Sequence, residues 1–570
     1  MERAGKRICD VLVEAGIDHV FGIPGGGTIP IWDALYDRQD KIKVVLARHE
    51  QAAACMADMY GRMTGKPGVL MGQGAFIGTT GGFGILEAFM SSSPMLVLTD
   101  TSDMGFSQHA SYQSGTGEYG SFDLRAMLRG MSKFTTYAVT PEEAVQGVQL
   151  AVKHAVVGRP GPACVLMRSK AASGVVDPER TPRLYGTAGY LKESVTVPSP
   201  DAVQRAVDLI LKARQPVVIA GNGVHVSRAY EPLRQFAELV GAPVATSYKG
   251  QSAFPGVHPL ALGMMGTFGQ AVANRTIAEA DLVLVAGSRL SPSDTRFDNP
   301  ALLDPSRQKI LQMDIEPRNA GWTFPLDEAL IGDLGHTLDL MVQALRKSPP
   351  AGAGDRTAAV LERKKAESFH EAPELYAETR PLLPQRIVKE IEEAVDGSAI
   401  ITLDAGNSRL WMSHFFKTKQ VRTLFCPGGV AGMAWGPPAA LTAKLLCPDR
   451  PVVSVVGDGG FAMTLHVLST AVQYGLPVVF VVMNNSVLGM VRDFQAARQR
   501  IIASEFGATD FARIARGFGC RGVDVQAPGQ LVAAIREAFD QDLPTVIDVT
   551  TSAVEPFFKI AALEDFARVA

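Results

Sequence analysis

The chain has 570 residues with 46% apolar and 20% charged side chains, and its formal charge is −3, from 55 Lys and Arg against 58 Asp and Glu. That balance is the composition of a chain able to bury a sizeable core, so disorder is not the expectation. Without a basic or acidic block it also argues against a nucleic-acid track or a membrane-surface patch, which leaves a small neutral or anionic molecule as the expected partner. Six scattered cysteines, with no CxxC pair and no His at ligand spacing, argue against a disulfide framework or a zinc site.

The N-terminus, MERAGKRICDVLVEAGIDHVFG, lacks the apolar core of a signal peptide, and no run approaches the ~18 apolar residues of a membrane span. A cytoplasmic protein is expected. Along the chain, short β-branched runs alternate with helical patterns, the grammar of parallel α/β sheets. In residues 1–180 the runs predict strands near Val20, Val44 to Ala47, Val69 to Met71, Met95 to Thr99 and Ala163 to Met167. In 190–350 they fall at PVVIAG from Pro216, PVATS from Pro243, DLVLVAGS from Asp281 and KILQMDI from Lys309. In 375–555 they fall at AIITLDAG from Ala399, PVVSVVGDGG from Pro451, PVVFVVMNN from Pro477 and PTVIDV from Pro544. Linkers rich in Pro, Gly and Ser separate the segments at Gly174 to Pro200 and Ser348 to Gly354. The fold class is therefore α/β, as three doubly wound parallel-sheet domains.

The third segment carries the strongest chemical signal. A run buried on both faces, Val452 to Val456, ends in Gly457, Asp458, Gly459 and Gly460. Helical spacing over Phe461 to Tyr474 follows, and the next run ends in Asn484 and Asn485. A right-handed strand–helix–strand unit brings both strand ends to one sheet edge, where open α/β sheets bind ligands. The Asp458 carboxylate and the Asn485 amide oxygen can then converge on Mg²⁺, which prefers hard oxygens and completes its shell with phosphates and water. The glycines let the backbone approach a diphosphate, and the helix near Phe461 offers N–H groups to it.

GDG followed by 24 residues and NN resembles the signature of thiamine diphosphate enzymes. The resemblance extends over nearly the whole chain to the acetolactate (acetohydroxyacid) synthase large-subunit branch. It is carried by VFGIPGGGTIPIWDAL from Val20, ARHEQAAACMADMYGR from Ala47, GRPGPACVLM from Gly158, GGVAGMAWGPPAA from Gly428 and the stretch from Gly457 to Gln495. It implies pyrimidine-binding, central and diphosphate-binding domains, and active sites between subunits of a homodimer or homotetramer. Glu50 is implied as the glutamate at N1′ of the aminopyrimidine, and Met433, beside Gly432, as the apolar wedge that keeps the cofactor bent. Asn407, Ser408 and Leu488 are implied cofactor contacts, and the Val487 carbonyl a third metal ligand. The reaction implied is carbon–carbon bond making or breaking on a 2-oxo acid such as pyruvate, through a C2 ylide and an enamine. A 2-oxo acid decarboxylase, a 2-hydroxyacyl-CoA lyase, a sulfoacetaldehyde acetyltransferase and, outside catalysis, a cofactor-binding homologue stay open.

Departures from the family pattern lie on the substrate side. The stretch MGQGAFIGTTGGFGILEAF near residue 72 is longer than the family's, as is the loop at 101–123, where Gly120 stands in place of a glutamine. Gln73, Gln108, His109 and Gln113 are the polar replacements on offer, with Gln73 and His109 expected in the catalytic set. Phe494 stands where a Trp is common. In the central segment, GNGVHVSRA at Gly221 and GSRLSPSDTRFDNP at Gly287 leave FAD and a bare spacer both open, since GxG without a third glycine is a weak signal.

Overall fold

The computed structural model describes residues 2–103, 112–192 and 194–562. Eighteen strands form three six-stranded sheets in which every pairing among the described residues is parallel. The first holds β1 (His19–Gly22), β2 (Lys43–Leu46), β3 (Gly68–Gly72), β4 (Met95–Asp100), β5 (Phe134–Ala138) and β6 (Pro162–Met167), in the order β2-β1-β3-β4-β6-β5. The second holds β7 (Pro216–Ala220), β8 (Val244–Thr246), β9 (Ala261–Met264), β10 (Leu282–Ala286), β11 (Lys309–Asp314) and β12 (Glu328–Ile331), in the order β12-β11-β10-β7-β8-β9. The third holds β13 (Ile400–Leu403), β14 (Leu424–Phe425), β15 (Val452–Gly457), β16 (Val479–Asn484), β17 (Arg521–Val525) and β18 (Thr545–Thr550), in the order β14-β13-β15-β16-β18-β17.

Sheets one and three are thus wound in the same order. Sheet two has the order of dinucleotide-binding folds, with the reversal between β7 and β10. The interior strands are continuous apolar runs because both faces are covered: β3, β4, β6, β7 and β10 are buried along their whole length. The five strands that the runs did not predict, β5, β9, β12, β14 and β17, are all edge strands. β5, β12 and β17 are half-exposed over most of their residues, and β14 is only two residues long, so neither burial nor length leaves a mark on the sequence.

The chain divides into two compact units. One comprises 1–194 with 427–448 and 464–476, and the other comprises 195–426 with 449–463 and 477–570. The helix expected from Phe461 to Tyr474 is two helices, Asp458–Ala462 and Val467–Gln473, and the second ends at Gly475 (φ 57°). No helix among the described residues is long and apolar enough to cross a membrane.

Candidate functional site

In the unit that contains sheet three, the ends of β13, β15 and β16 carry the expected residues. Asp458 is 2% exposed. Its Oδ2 accepts the backbone N–H groups of Asn485 (2.9 Å) and Ser486 (2.5 Å), and its Oδ1 accepts that of Gly459 (2.8 Å). Burial pushes this carboxyl above its ordinary range, opposed by those N–H groups of Ser486, Gly459 and Asn485 and reinforced by the charge of Asp548. The turn it clasps is strained, with Ser486 at φ 59°, a conformation that costs an L-residue roughly 1 kcal/mol or more.

The two asparagines do different work. Asn484 Nδ2 donates to Asp548 Oδ1 (2.9 Å) and to the Thr509 carbonyl (2.9 Å), which fixes the end of β16. Asn485 Oδ1 accepts the Val487 N–H at 3.3 Å. Val487 opposes Glu505 in an antiparallel bridge flanked by Leu488 N–H to Ser504 O and Phe506 N–H to Ser486 O. In such a pair the residue's own N–H and C=O face away from the partner strand, so the Val487 carbonyl turns to the side where its N–H meets Asn485. Asp458, Asn485 and Val487 therefore offer three hard oxygens on one strand-to-turn junction.

The glycines divide their roles. A Cβ on Gly457 would meet nothing, so open space lies beside this backbone, as a ligand requires. A Cβ on Gly460 would lie 2.2 Å from Asp404 Oδ2, and one on Gly459 3.0 Å from Leu488 Cδ2, so these two are glycine for protein contacts. The Gly459 N–H, in the first turn of the helix that begins at Asp458, is taken by Asp458. After β13, Ser408 Oγ is buried without a partner and is a donor suited to a phosphoryl oxygen. Asn407 Nδ2 donates to Asp493 Oδ2 (2.9 Å), so its remaining buried atom is Oδ1, an acceptor. That atom fits a donor such as a metal-bound water better than a phosphate. Phe494 packs edge-on against Phe557 and Phe558 at centroid distances of 5.4 and 5.2 Å.

In the unit that contains sheet one, Glu50 opens the helix Glu50–Thr64, whose first turn is capped by the His49 ring accepting from Gln51 N–H. Thr80 Oγ1 lies 3.2 Å from Glu50 Oε2 and 2.9 Å from the Phe76 carbonyl, so its single proton is shared between them. Gln73 follows β3 and donates to Ser102 Oγ (3.2 Å) and Gln113 Oε1 (2.6 Å). Two of the proposed polar replacements, Gln73 and Gln113, are thus paired, whereas Gln108 and His109 lie outside the described residues. Gly120 is exposed with φ 81°.

Sequence reasoning missed two acidic centres in this unit. Asp100, at the end of β4, accepts the N–H groups of Gly27 (2.9 Å), Gly74 (3.2 Å) and Ser102 (2.8 Å), tying together the loops after β1, β3 and β4. Glu87 and Asp58 share Arg62 beneath the loop that carries Gly432 and Met433. A lone carboxylate inside the apolar helical stretches GILEAFM and ACMADMY was the available signal.

In the central segment, Gly221 follows β7, and Gly287 follows β10 at the sheet's reversal point. A Cβ on Gly221 would lie 2.4 Å from the Gly287 carbonyl oxygen, and one on Gly223 2.6 Å from Gly287 Cα. The glycines of both motifs are therefore needed for the close approach of two loops.

Three family models match, described as the N-terminal thiamine pyrophosphate binding domain of thiamine pyrophosphate enzymes over residues 2–118, their central domain over 203–341, and their C-terminal binding domain over 404–549. The chain belongs to the thiamine pyrophosphate enzyme family. Within it, the chain is 32% identical over 97% of its length to a probable acetolactate synthase large subunit of Methanocaldococcus jannaschii, covering 92% of that relative. It is 30% identical over 97% to the one of Methanococcus aeolicus, again covering 92% of the relative. An acetolactate synthase large subunit of Parasynechococcus marenigrum is 32% identical over 95% of this chain and 86% of its own. The chain is an acetolactate synthase-like, thiamine diphosphate-dependent enzyme.

Proposed function

We propose that the protein is a cytoplasmic, Mg²⁺-dependent homodimer or homotetramer that makes or breaks a carbon–carbon bond on a 2-oxo acid such as pyruvate. Pyrimidine-binding, central and diphosphate-binding domains are assigned to 1–180, 190–350 and 375–555. The observation that supports the reading is the Asp458 carboxylate clasping the Asn485–Ser486 backbone, which ties together the chain segments that follow β15 and β16. Bound thiamine diphosphate supplies an electron-accepting thiazolium ring for decarboxylation and carbon–carbon bond chemistry.

The chain's own residues supply the rest. Asp458, Asn485 and the Val487 carbonyl bind Mg²⁺, while Ser408, Asn407, Leu488 and the backbone at Gly457 to Gly460 border the diphosphate. Glu50 holds a proton at N1′ of the aminopyrimidine, with the Thr80 hydroxyl orienting its carboxylate. Met433, beside Gly432, fixes the cofactor's shape. Gln73, fixed by Gln113, and His109 address the substrate. For FAD, the central sheet offers the strand order of dinucleotide-binding folds, but its loop glycines are used on one another. A flavin absorption band in the purified holoenzyme decides that part.

A mass-spectrometric product screen with pyruvate and a panel of 2-oxo acid, aldehyde, sulfoacetaldehyde, inorganic phosphate and acyl-CoA partners tests the reading. Acetolactate from pyruvate alone is the expected product. Acetaldehyde alone would assign a decarboxylase, an acyl-CoA or acetyl phosphate product one of the other transfer reactions, and no turnover with cofactor bound would overturn the enzymatic reading.

A further inference from the structure

The loop from Gly428 to Trp435 is held at both ends by buried charge. Glu87 lies in the helix Gly82–Ser91 and is fully buried. Its Oε1 accepts the backbone N–H groups of Gly428 and Gly429, both at 2.9 Å, and its Oε2 accepts that of Ala431 at 3.0 Å. Ser91 Oγ (2.7 Å) and Arg62 Nη2 (2.8 Å) complete its shell. At the loop's other end, Asp58 Oδ2 accepts Trp435 Nε1–H at 2.8 Å and pairs with Arg62 Nη2 at 2.8 Å. The Arg62 guanidinium stands 4.6 Å over the Trp435 ring. One guanidinium thus ties two buried carboxylates, and each carboxylate grips one end of the loop.

Between the grips lies strained backbone. Ala431 (φ 57°) and Ala434 (φ 78°) both adopt the left-handed conformation, and they bracket Gly432 and Met433. Any side chain at 432 would meet the Phe83 ring at 2.4 Å, so the loop is pressed onto the helix that carries Glu87. A segment with two L-residues in this region does not hold its shape unaided, and its surroundings must over-determine it. Charge-assisted bonds from a desolvated carboxylate to consecutive N–H groups are strong enough to do so.

We propose that Glu87, with Arg62 and Asp58, is a positioning residue that sets the Met433 side chain for the cofactor. The inference rests on the reading of Met433 as the residue that fixes the cofactor's shape. Glu87 touches no reacting atom and acts through three backbone N–H groups two to five residues before Met433.

The test is a double-mutant cycle on the full-length protein loaded with Mg²⁺ and thiamine diphosphate. Exchange of the cofactor C2 proton is followed by NMR, cofactor affinity by calorimetry, and amide hydrogen exchange over 427–434 in the cofactor-free protein by mass spectrometry. Glu87→Gln keeps the volume but sets an NH₂ group against N–H donors. It should lower amide protection of the loop at least about tenfold and slow C2 exchange on the order of 10²-fold, the size expected for a misplacement near 1 Å. Cofactor affinity should stay within about threefold, because the metal and diphosphate donors lie elsewhere in the chain. Met433→Ala should slow exchange comparably, and the double variant should be no slower than the slower single one.

Normal C2 exchange in Glu87→Gln, or multiplicative effects in the double variant, would overturn the proposal while leaving the Met433 reading intact. Normal exchange in Met433→Ala would instead remove that reading and this inference with it. Should Glu87→Gln fail to fold, Trp435→Phe keeps an aromatic ring at this place and removes the bond to Asp58. It should slow exchange about tenfold, and wild-type exchange there counts against the proposal.

Discussion

Replacing Asp458 by Asn separates its service to the turn from its proposed service to a metal. The carboxylate accepts three backbone N–H groups, from Gly459, Asn485 and Ser486. An amide presents a single oxygen, which can keep the two donors at Asn485 and Ser486, while its NH₂ group then opposes the Gly459 N–H. The apoprotein loses one hydrogen bond at a partly buried donor, about 1–3 kcal/mol, offset by removal of a buried charge that is already pushed toward protonation. Removing partners that only orient metal ligands typically costs 10- to 100-fold in metal affinity, so loss of the single anionic donor among these three should cost about 10²-fold or more. At a fixed cofactor concentration this removes about 2.7 kcal/mol of ligand-linked stability. Calorimetric titration of Mg²⁺ with thiamine diphosphate, paired with urea midpoints of the apo and loaded protein, measures both quantities. Wild-type affinity together with a destabilised apoprotein would show that Asp458 is a structural clasp and refute the metal assignment.

Glu50→Gln should leave cofactor affinity near wild type and slow C2-proton exchange by about 10²- to 10⁴-fold, the range for removal of a general acid–base group; unchanged exchange by NMR would sink the assignment. The buried carboxylates predict opposite pH behaviour. Burial pushes Glu87 up, but the Arg62 charge, the N–H groups of Gly429 and Ala431 and the Ser91 hydroxyl hold its carboxyl at about 2, below the ordinary 4.5. A depressed carboxyl contributes stability that is fully present above the ordinary value and is lost as pH falls through the folded one. The stability difference between wild type and Glu87→Gln, read from urea midpoints, should therefore be constant above pH 4.5 and shrink toward pH 2. Asp58, raised mainly by burial, works in the other direction and flattens the wild-type profile. A difference that does not vary with pH would contradict the network described for Glu87.

The sequence was legible where causes are local. Asp458 and the Asn pair sit at the ends of neighbouring buried strands, so spacing along the chain already implied their approach, and Asp458 reaches the Asn485 backbone. Central strands were legible because burial on both faces leaves an unbroken apolar run, whereas edge strands such as β5 and β17 leave none. The helix after β15 starts at Asp458 and breaks after Ala462, and helical spacing along the chain does not register such a break. Glu87 meets Gly428 across 341 residues, and Trp435 meets Asp58 across 377. No local periodicity encodes such pairs. The reversal of strand order at β7 and β10 was hidden for the same reason, since order within a sheet is a property of the assembled layer.

The shared winding of sheets one and three makes their loops directly comparable. Position for position, β1 corresponds to β13, β3 to β15 and β4 to β16, so Gln73 is the counterpart of Asp458, and Asp100 of Asn484. One architectural template has thus been finished twice with different chemistry at its carboxyl rim, once with a buried acid that gathers neighbouring loops and once with an acid and an amide pair. Each rim is thus fastened by its own acid, Asp100 in sheet one and Asp458 in sheet three.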